Sequence, residues 1–287
     1  MKKQKILERL MSIVFFITAT ISIVSVILIL LFIVINSIPA LKEIGIVQFI
    51  TGKTWAPANI PASFGLLPMI LGSLYVTAGA VLIGVPLGLF TAVFMARFCP
   101  EKLYKVLKPL IDLLAGIPSI VYGFFGLVFI VPLIRNTLGG TGDSILAASI
   151  LLGIMILPTI IGLSEAAIRA VPQSYYEGAL SLGATHERAV FTILLPAAKS
   201  GIFASVILGI GRAIGETMAV VMVAGNQARI PTGILNGVRT MTSNIVIEMG
   251  YAADLHRGAL IASGLVLFVF ILILNIAFSL MNKKKGA

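Results

Sequence analysis

An arginine and a glutamate, Arg212 and Glu216, stand four residues apart in an otherwise apolar run from about Ser200 to Gly225. On one continuous helix that spacing puts them on neighbouring faces one turn apart, within reach of each other. A charge in mid-membrane costs about 2.5–3.5 kcal/mol on insertion scales, so such residues face a bundle interior or an aqueous path. Physics alone leaves two readings even, and they are not exclusive. In one, the pair neutralises itself and fixes helix packing. In the other, Arg212 is a mid-membrane anion site, because its rigid fork forms bidentate, charge-assisted bonds to phosphate. Glu216 then keeps the empty site from holding an unpaired cation and a bound anion from staying too long. Gly211 and Gly215 add a small-x-x-x-small face that lets another helix approach closely.

A second constellation lies in the stretch 165–199, which reads as two short helices joined by a turn. Pro172 suits a first helical position, Gly183 a left-handed helix terminus, and Thr185 a cap for the next helix. Pro196 is expected to break the chain before the following apolar run. The result is an amphipathic knuckle offering Tyr175, Tyr176, Glu177 and Leu180 to a partner, and by periodicity alone an ordinary connector helix on a membrane surface fits as well.

Other reactive residue types carry less. Gly52-Lys53-Thr54 resembles the end of a phosphate-binding loop, but Val47 stands where its first glycine belongs. Ser119 and Tyr122 are candidates to line a path, although a Gly/Pro-rich packing kink explains their segment equally. Asp112 with Lys108 one turn away reads as a snorkelling or capping pair. His186 and His256 read as lone, Met218 and Met222 as packing, and the single cysteine, Cys99, excludes an intrachain disulfide and a cysteine-based zinc site. No catalytic set and no metal site is expected.

The elements that must position these residues follow from composition. Of 287 residues, 59% are hydrophobic and 11% charged, against about 25% charged in a soluble domain. The formal charge of +10 is distributed between apolar segments rather than along one face, which argues against nucleic acid. Charge-free runs long enough to span a bilayer predict an all-α polytopic membrane protein. It has one domain and six helices, at about 12–35, 71–96, 113–134, 144–164, 200–225 and 258–282. The basic N-terminus precedes an apolar stretch too long for a secretory signal, so it is read as a retained first helix.

Lysine and arginine placement sets the orientation. With both termini cytoplasmic, the inner pieces hold Lys2, Lys3, Lys5, Arg9, Arg97, Lys102, Lys105, Lys108, Arg169, Arg188, Lys199, Lys283, Lys284 and Lys285. The outer pieces hold only Lys42, Lys53, Arg135, Arg229, Arg239 and Arg257. On this topology the stretch 165–199 is cytoplasmic, while Ser63 and Ser243 lie in outer loops open to impermeant reagents and Gln173 does not.

Glu177, Ala179 and Gly183, followed after nine residues by Ile193-Leu194-Leu195-Pro196, closely resemble the EAA motif of ABC importer permeases, with Gly178 in place of the middle alanine. In that family the segment, here centred on Tyr176–Gly183, is the coupling helix that docks into a groove on the ATPase. Gly211-Arg-Ala-Ile-Gly-Glu-Thr217, Met218-Ala-Val and Ala224-Gly-Asn226 resemble the C-type permease of the bacterial phosphate-specific (Pst) importer. So do Gly116-Ile-Pro-Ser-Ile-Val-Tyr-Gly123 and Val238-Arg-Thr-Met-Thr-Ser-Asn244. The resemblance implies the type I ABC importer permease fold in a bacterial cytoplasmic membrane. It places Arg212, Glu216 and Thr217 on the substrate path, with no enzymatic activity in this chain. The implied partners are an A-type sister permease, two ATPase subunits that hold ATP and Mg, and an extracytoplasmic phosphate-binding protein. A sulfate or molybdate permease would share the knuckle but not Gly211–Thr217. An intramembrane enzyme lacks a nucleophile–base pair, and an ion-driven transporter would not need the coupling motif.

Overall fold

The computed structural model describes residues 2–284, with side chains described for Glu8, 10–277 and Leu280. Lys285 lies outside the described residues, as do the side chains of Lys2, Lys3, Lys5, Arg9, Lys283 and Lys284. Among the described residues, six helices are long and apolar enough to cross a membrane: Leu10–Ile44, Leu67–Phe98, Ser119–Leu138, Ile145–Arg169, His186–Gly215 and Asp254–Ala277.

In chain order, α1 (Lys2–Ile44) and α2 (Ile46–Thr51) lead into a two-residue antiparallel pair, β1 (Trp55–Ala56) with β2 (Ser63–Phe64). Next come α3 (Leu67–Val93), running on as a π-helical turn at Phe94–Phe98, and α4 (Glu101–Gly116). Then α5 (Ser119–Phe125) passes through a π turn at Gly126–Ile130 into α6 (Val131–Leu138), and α7 (Ile145–Arg169) follows. The knuckle is α8 (Gln173–Ser181) and α9 (His186–Ala189), whose π turn at Val190–Leu194 continues into α10 (Leu195–Gly215). Last come α11 (Met218–Val223), α12 (Met241–Glu248) and α13 (Asp254–Lys284).

The bundle is built around α7. In its most apolar window 67% of residues are buried, against 0% for α1, because α3 and α10 close on it along glycines. A β-carbon at Gly84 would lie 2.7 Å from the Gly153 carbonyl oxygen, and one at Gly88 2.8 Å from Ile160. Such small-residue seams replace hydrophobic driving force where the solvent is itself apolar. Leu151, Leu152, Met155, Ile156 and Ile160 fill the core they enclose.

Three departures from the sequence expectation bear on the site. The third span starts at Ser119, not near 113. Pro118 forces Ile117 into extended backbone (ψ 127), so Leu113–Gly116 finish the amphipathic helix α4, and Asp112 sits on that helix, ion-paired to Lys108 at 3.4 Å. Pro196 does not break the chain, since the helix is continuous from His186 to Gly215. The π turn ends two residues earlier and widens the ladder at the point where proline withholds its donor. The fifth span instead breaks at Glu216, which is extended (φ −68, ψ 134).

The knuckle forms as the local signals require. Gly183 has φ +83, its N–H bonds the Leu180 carbonyl, and the Ala184 N–H bonds that of Ala179. This pair of bonds is a Schellman terminus. The Thr185 hydroxyl accepts the Arg188 N–H at 3.3 Å.

Candidate functional site

Arg212 occupies the last turn of α10, where a cation is favoured by the helix dipole. Its Nη1 donates to the Thr159 hydroxyl on α7 at 3.2 Å. Thr159 stands ten residues before the end of α7, about 15 Å along the helix axis, so the guanidinium lies deep between the bundle's two ends. Glu216 does not pair with it. Because the helix stops at Gly215, the Glu216 side chain swings away from the turn below and its Oε1 accepts the Ala219 N–H at 3.2 Å, capping α11. Among the described residues no ion pair joins Arg212 to an acid. The geometry is therefore a half-buried cation facing one neutral hydroxyl.

The other sequence-derived candidates divide around this point. Tyr122 is buried, donates to the Leu114 carbonyl oxygen at 2.8 Å, and lies within electrostatic reach of Arg212. Its neighbour Gly123 brings α5 against α11, where a β-carbon would lie 2.9 Å from Ala219 Cα. The Thr217 hydroxyl turns back to the Gly215 carbonyl oxygen at 3.3 Å, and half-buried Ser119 opens α5 without a hydrogen-bond partner among the described residues. A β-carbon at Gly211 or Gly215 would meet nothing within 4 Å, so neither packs closely inside this chain. Away from the break, Glu177 and Gly178 are exposed and Ala179 is buried, while Tyr176 turns inward to bond His186 Nδ1 at 2.8 Å. Pro196 lies in the first turn of α10.

Sequence reasoning missed two buried carboxylates. Glu248, on α12, receives Arg239 Nη1 at 2.5 Å, Trp55 Nε1 at 2.8 Å and lies 2.8 Å from His256 Nε2. His256 is thus not a lone histidine. The same segment is folded inward: Thr240 caps α12, Met241 N–H donates to Ser73, and Thr242 donates to the Glu216 carbonyl oxygen at 3.0 Å. Ser243, expected in an open loop, is fully buried for this reason.

At the knuckle end, Glu165 accepts Tyr104 Oη at 2.7 Å and Arg169 Nε at 2.8 Å, with Lys108 Nζ at 3.4 Å. The hydrogen bond to Glu165, with burial second, pushes the Tyr104 hydroxyl above its ordinary pKa. Burial pulls the Lys108 ammonium down, and Glu165 with Asp112 more than offsets it, leaving Lys108 above its ordinary value. Tyr104, Lys108 and Glu165 come from segments 61 residues apart in the Tyr104 contact. No local pattern announces such a cluster.

The chain resembles known proteins in sequence and in fold. The family described as binding-protein-dependent transport system inner membrane component matches residues 84–286. A probable ABC transporter permease protein of Bacillus subtilis, YqgH, is 41% identical over 236 residues, spanning 80% of this chain and 76% of that one. The phosphate transport system permease protein PstC of Mesorhizobium japonicum is 36% identical over 252 residues, again 80% of this chain and 76% of that one. Among solved structures, an inward-facing MetNI methionine ABC transporter chain aligns at TM-score 0.62 and 20% identity, covering 77% of this chain and 95% of that one. A bacterial alginate ABC transporter chain aligns at TM-score 0.61 and 15% identity, covering 88% and 87%. At these identities the structures bear on fold alone.

Proposed function

The chain belongs to the binding-protein-dependent transport system inner membrane components, the permease subunits of ABC importers, and from that premise we propose that its cargo is phosphate. Its fold is the type I permease fold, and in such systems the ATPase is a separate chain. One observation carries the reading: Arg212 sits at a helix break, half-buried and deep between the bundle's ends, with the Thr159 hydroxyl for company and no carboxylate. An uncompensated guanidinium there attracts an anion. Its planar fork suits a tetrahedral oxyanion, and phosphate near neutral pH carries about −1.5 to −2 charges, judged from protein-bound monoesters. The resemblance of Gly211–Thr217 to phosphate permeases, and the name of the 36%-identical relative, point the same way.

In this reading the chain lines half of a pathway through a bacterial cytoplasmic membrane, and an A-type sister permease lines the other half. Both termini and the α8–α9 knuckle face the cytoplasm, where exposed Glu177, Gly178 and Gly183 present the docking surface to one of two ATPases that hold ATP and Mg, and Tyr176 and Ala179 support it from beneath. An extracytoplasmic phosphate-binding protein delivers the anion. Arg212, held by Thr159, receives it, and Thr217, Ser119 and Tyr122 are assigned to line the path. Phosphate uptake by the reconstituted complex, measured with sulfate and molybdate as competitors, tests the cargo. Phosphate uptake undiminished by a large excess of either is the expected result. Uptake of sulfate or molybdate in preference would overturn it.

A further inference from the structure

A continuous set of polar contacts leads from the knuckle to α4. Tyr176 on α8 bonds His186 and sits beneath the Arg97 guanidinium, 6.0 Å from ring centre to Cζ. Arg97, on the π turn that ends α3, donates to the Ile168 carbonyl oxygen at 3.2 Å. The neighbouring Arg169 donates back to Met95 on that π turn at 2.8 Å and to Glu165 at 2.8 Å. Glu165 then holds Tyr104 and Lys108, two residues one turn apart on α4. The far end of α4 offers the Leu114 carbonyl oxygen to Tyr122, which lies within electrostatic reach of Arg212.

Apolar packing alone holds α4 weakly. Its inward face contributes Ile111, with Tyr104 and Leu107 partly buried, to a small cluster with Met95 and Ile161, while Leu103, Val106, Leu110 and Leu113 are exposed. Elements with few buried apolar contacts are the ones that move at low free-energy cost. Glu165, in contrast, is 2% exposed, and a buried carboxylate needs its donors in place. The carboxylate is thus the seat of α4, and the donors on α4 must travel with it or leave it.

We propose that Glu165 is a positioning residue that couples the α8–α9 knuckle to the substrate path through α4. The proposal rests on the permease reading above. When the knuckle shifts, the π turn and Arg169 shift with it. Glu165 passes that displacement to α4, which moves the Leu114 carbonyl and hence Tyr122, within electrostatic reach of Arg212.

The test is made on the assembled complex in proteoliposomes, with ATP hydrolysis and phosphate uptake measured side by side. Glu165→Gln removes the charge that holds Lys108 and Arg169 while keeping the side chain's size. The expected result is ATP hydrolysis still stimulated by the loaded binding protein, with phosphate carried per ATP reduced about tenfold. Tyr104→Phe, which removes one hydrogen bond and little volume, lowers the same ratio by a smaller factor. If Glu165→Gln assembles poorly, Tyr104→Phe and Lys108→Met carry the test alone. A ratio equal to wild type in every assembled variant would overturn the proposal, as would uptake and hydrolysis falling in strict proportion. Failure of the wild-type complex to carry phosphate would instead overturn the cargo reading, so the two failures are distinct.

Discussion

Each end of the helical bundle buries a glutamate among three donors, and the two clusters are housed differently. Glu248 is enclosed: Arg239 and His256 are only 16% and 14% exposed, and Trp55 is buried beside them. Its donors join the β hairpin, the start of α12 and the start of α13 into one block, which Thr242 ties to the broken helix at Glu216. Glu165 is equally buried, but Lys108 and Arg169 are 33% and 45% exposed, and its contacts run outward to an exposed helix and a protruding knuckle. The same chemistry therefore gives a lock at one end and a movable joint at the other. What separates them is the exposure of the donors, which sets how much water can replace a lost bond.

That contrast predicts a ranking. Glu248→Ala leaves Arg239 buried without its partner, and breaking a buried pair in this way costs about 3–5 kcal/mol. Thermal unfolding in detergent should show a large loss of stability and of assembled yield. Glu165→Gln should lower stability much less and act on coupling. A greater stability loss at Glu165 than at Glu248 would reverse the assignment of lock and joint.

Smaller effects sharpen the joint itself. Gly183→Val places a β-branched residue at φ +83, where left-handed backbone costs about 1–2 kcal/mol. It should uncouple hydrolysis from uptake while the subunit still inserts, and normal coupling would count against the knuckle as the docking element. Gly178→Ala should go the other way. A β-carbon there meets nothing within 4 Å, so exchanging glycine for alanine in α8 stabilises by about 0.5–1 kcal/mol. Uptake should be unchanged, and a loss would mean that the ATPase reads this position closely.

Legibility in the sequence followed range. The six spans are charge-free runs, and the knuckle is written in Pro172, Gly183 and Thr185, each acting on its own backbone. The break at Glu216 was hidden because apolar residues continue through Met218–Val223, and hydropathy does not register a change of backbone direction. The four-residue spacing then made Arg212 and Glu216 look like partners, when the extended backbone at Glu216 sends the two side chains to different elements. The Glu248 lock was out of reach for another reason: Trp55 and Glu248 are 193 residues apart, and only the fold makes them neighbours. Span counting puts Arg239 and Ser243 in the connection before the last span, but it does not register that this connection folds inward. Its polar groups are instead spent on one another and on Ser73 and Glu216.

Arg212 and Glu216 separate the two original readings most directly, through phosphate uptake by assembled complexes carrying Arg212→Gln, Arg212→Lys or Glu216→Gln. A glutamine at 216 can still accept the Ala219 N–H, so that variant should assemble with normal yield and retain uptake to within a few-fold. Arg212→Lys should recover only part of wild-type uptake, because a point charge replaces a planar fork. Arg212→Gln should abolish uptake while the complex assembles and the external binding protein keeps its affinity. Wild-type uptake by an assembled Arg212→Gln complex would contradict the account.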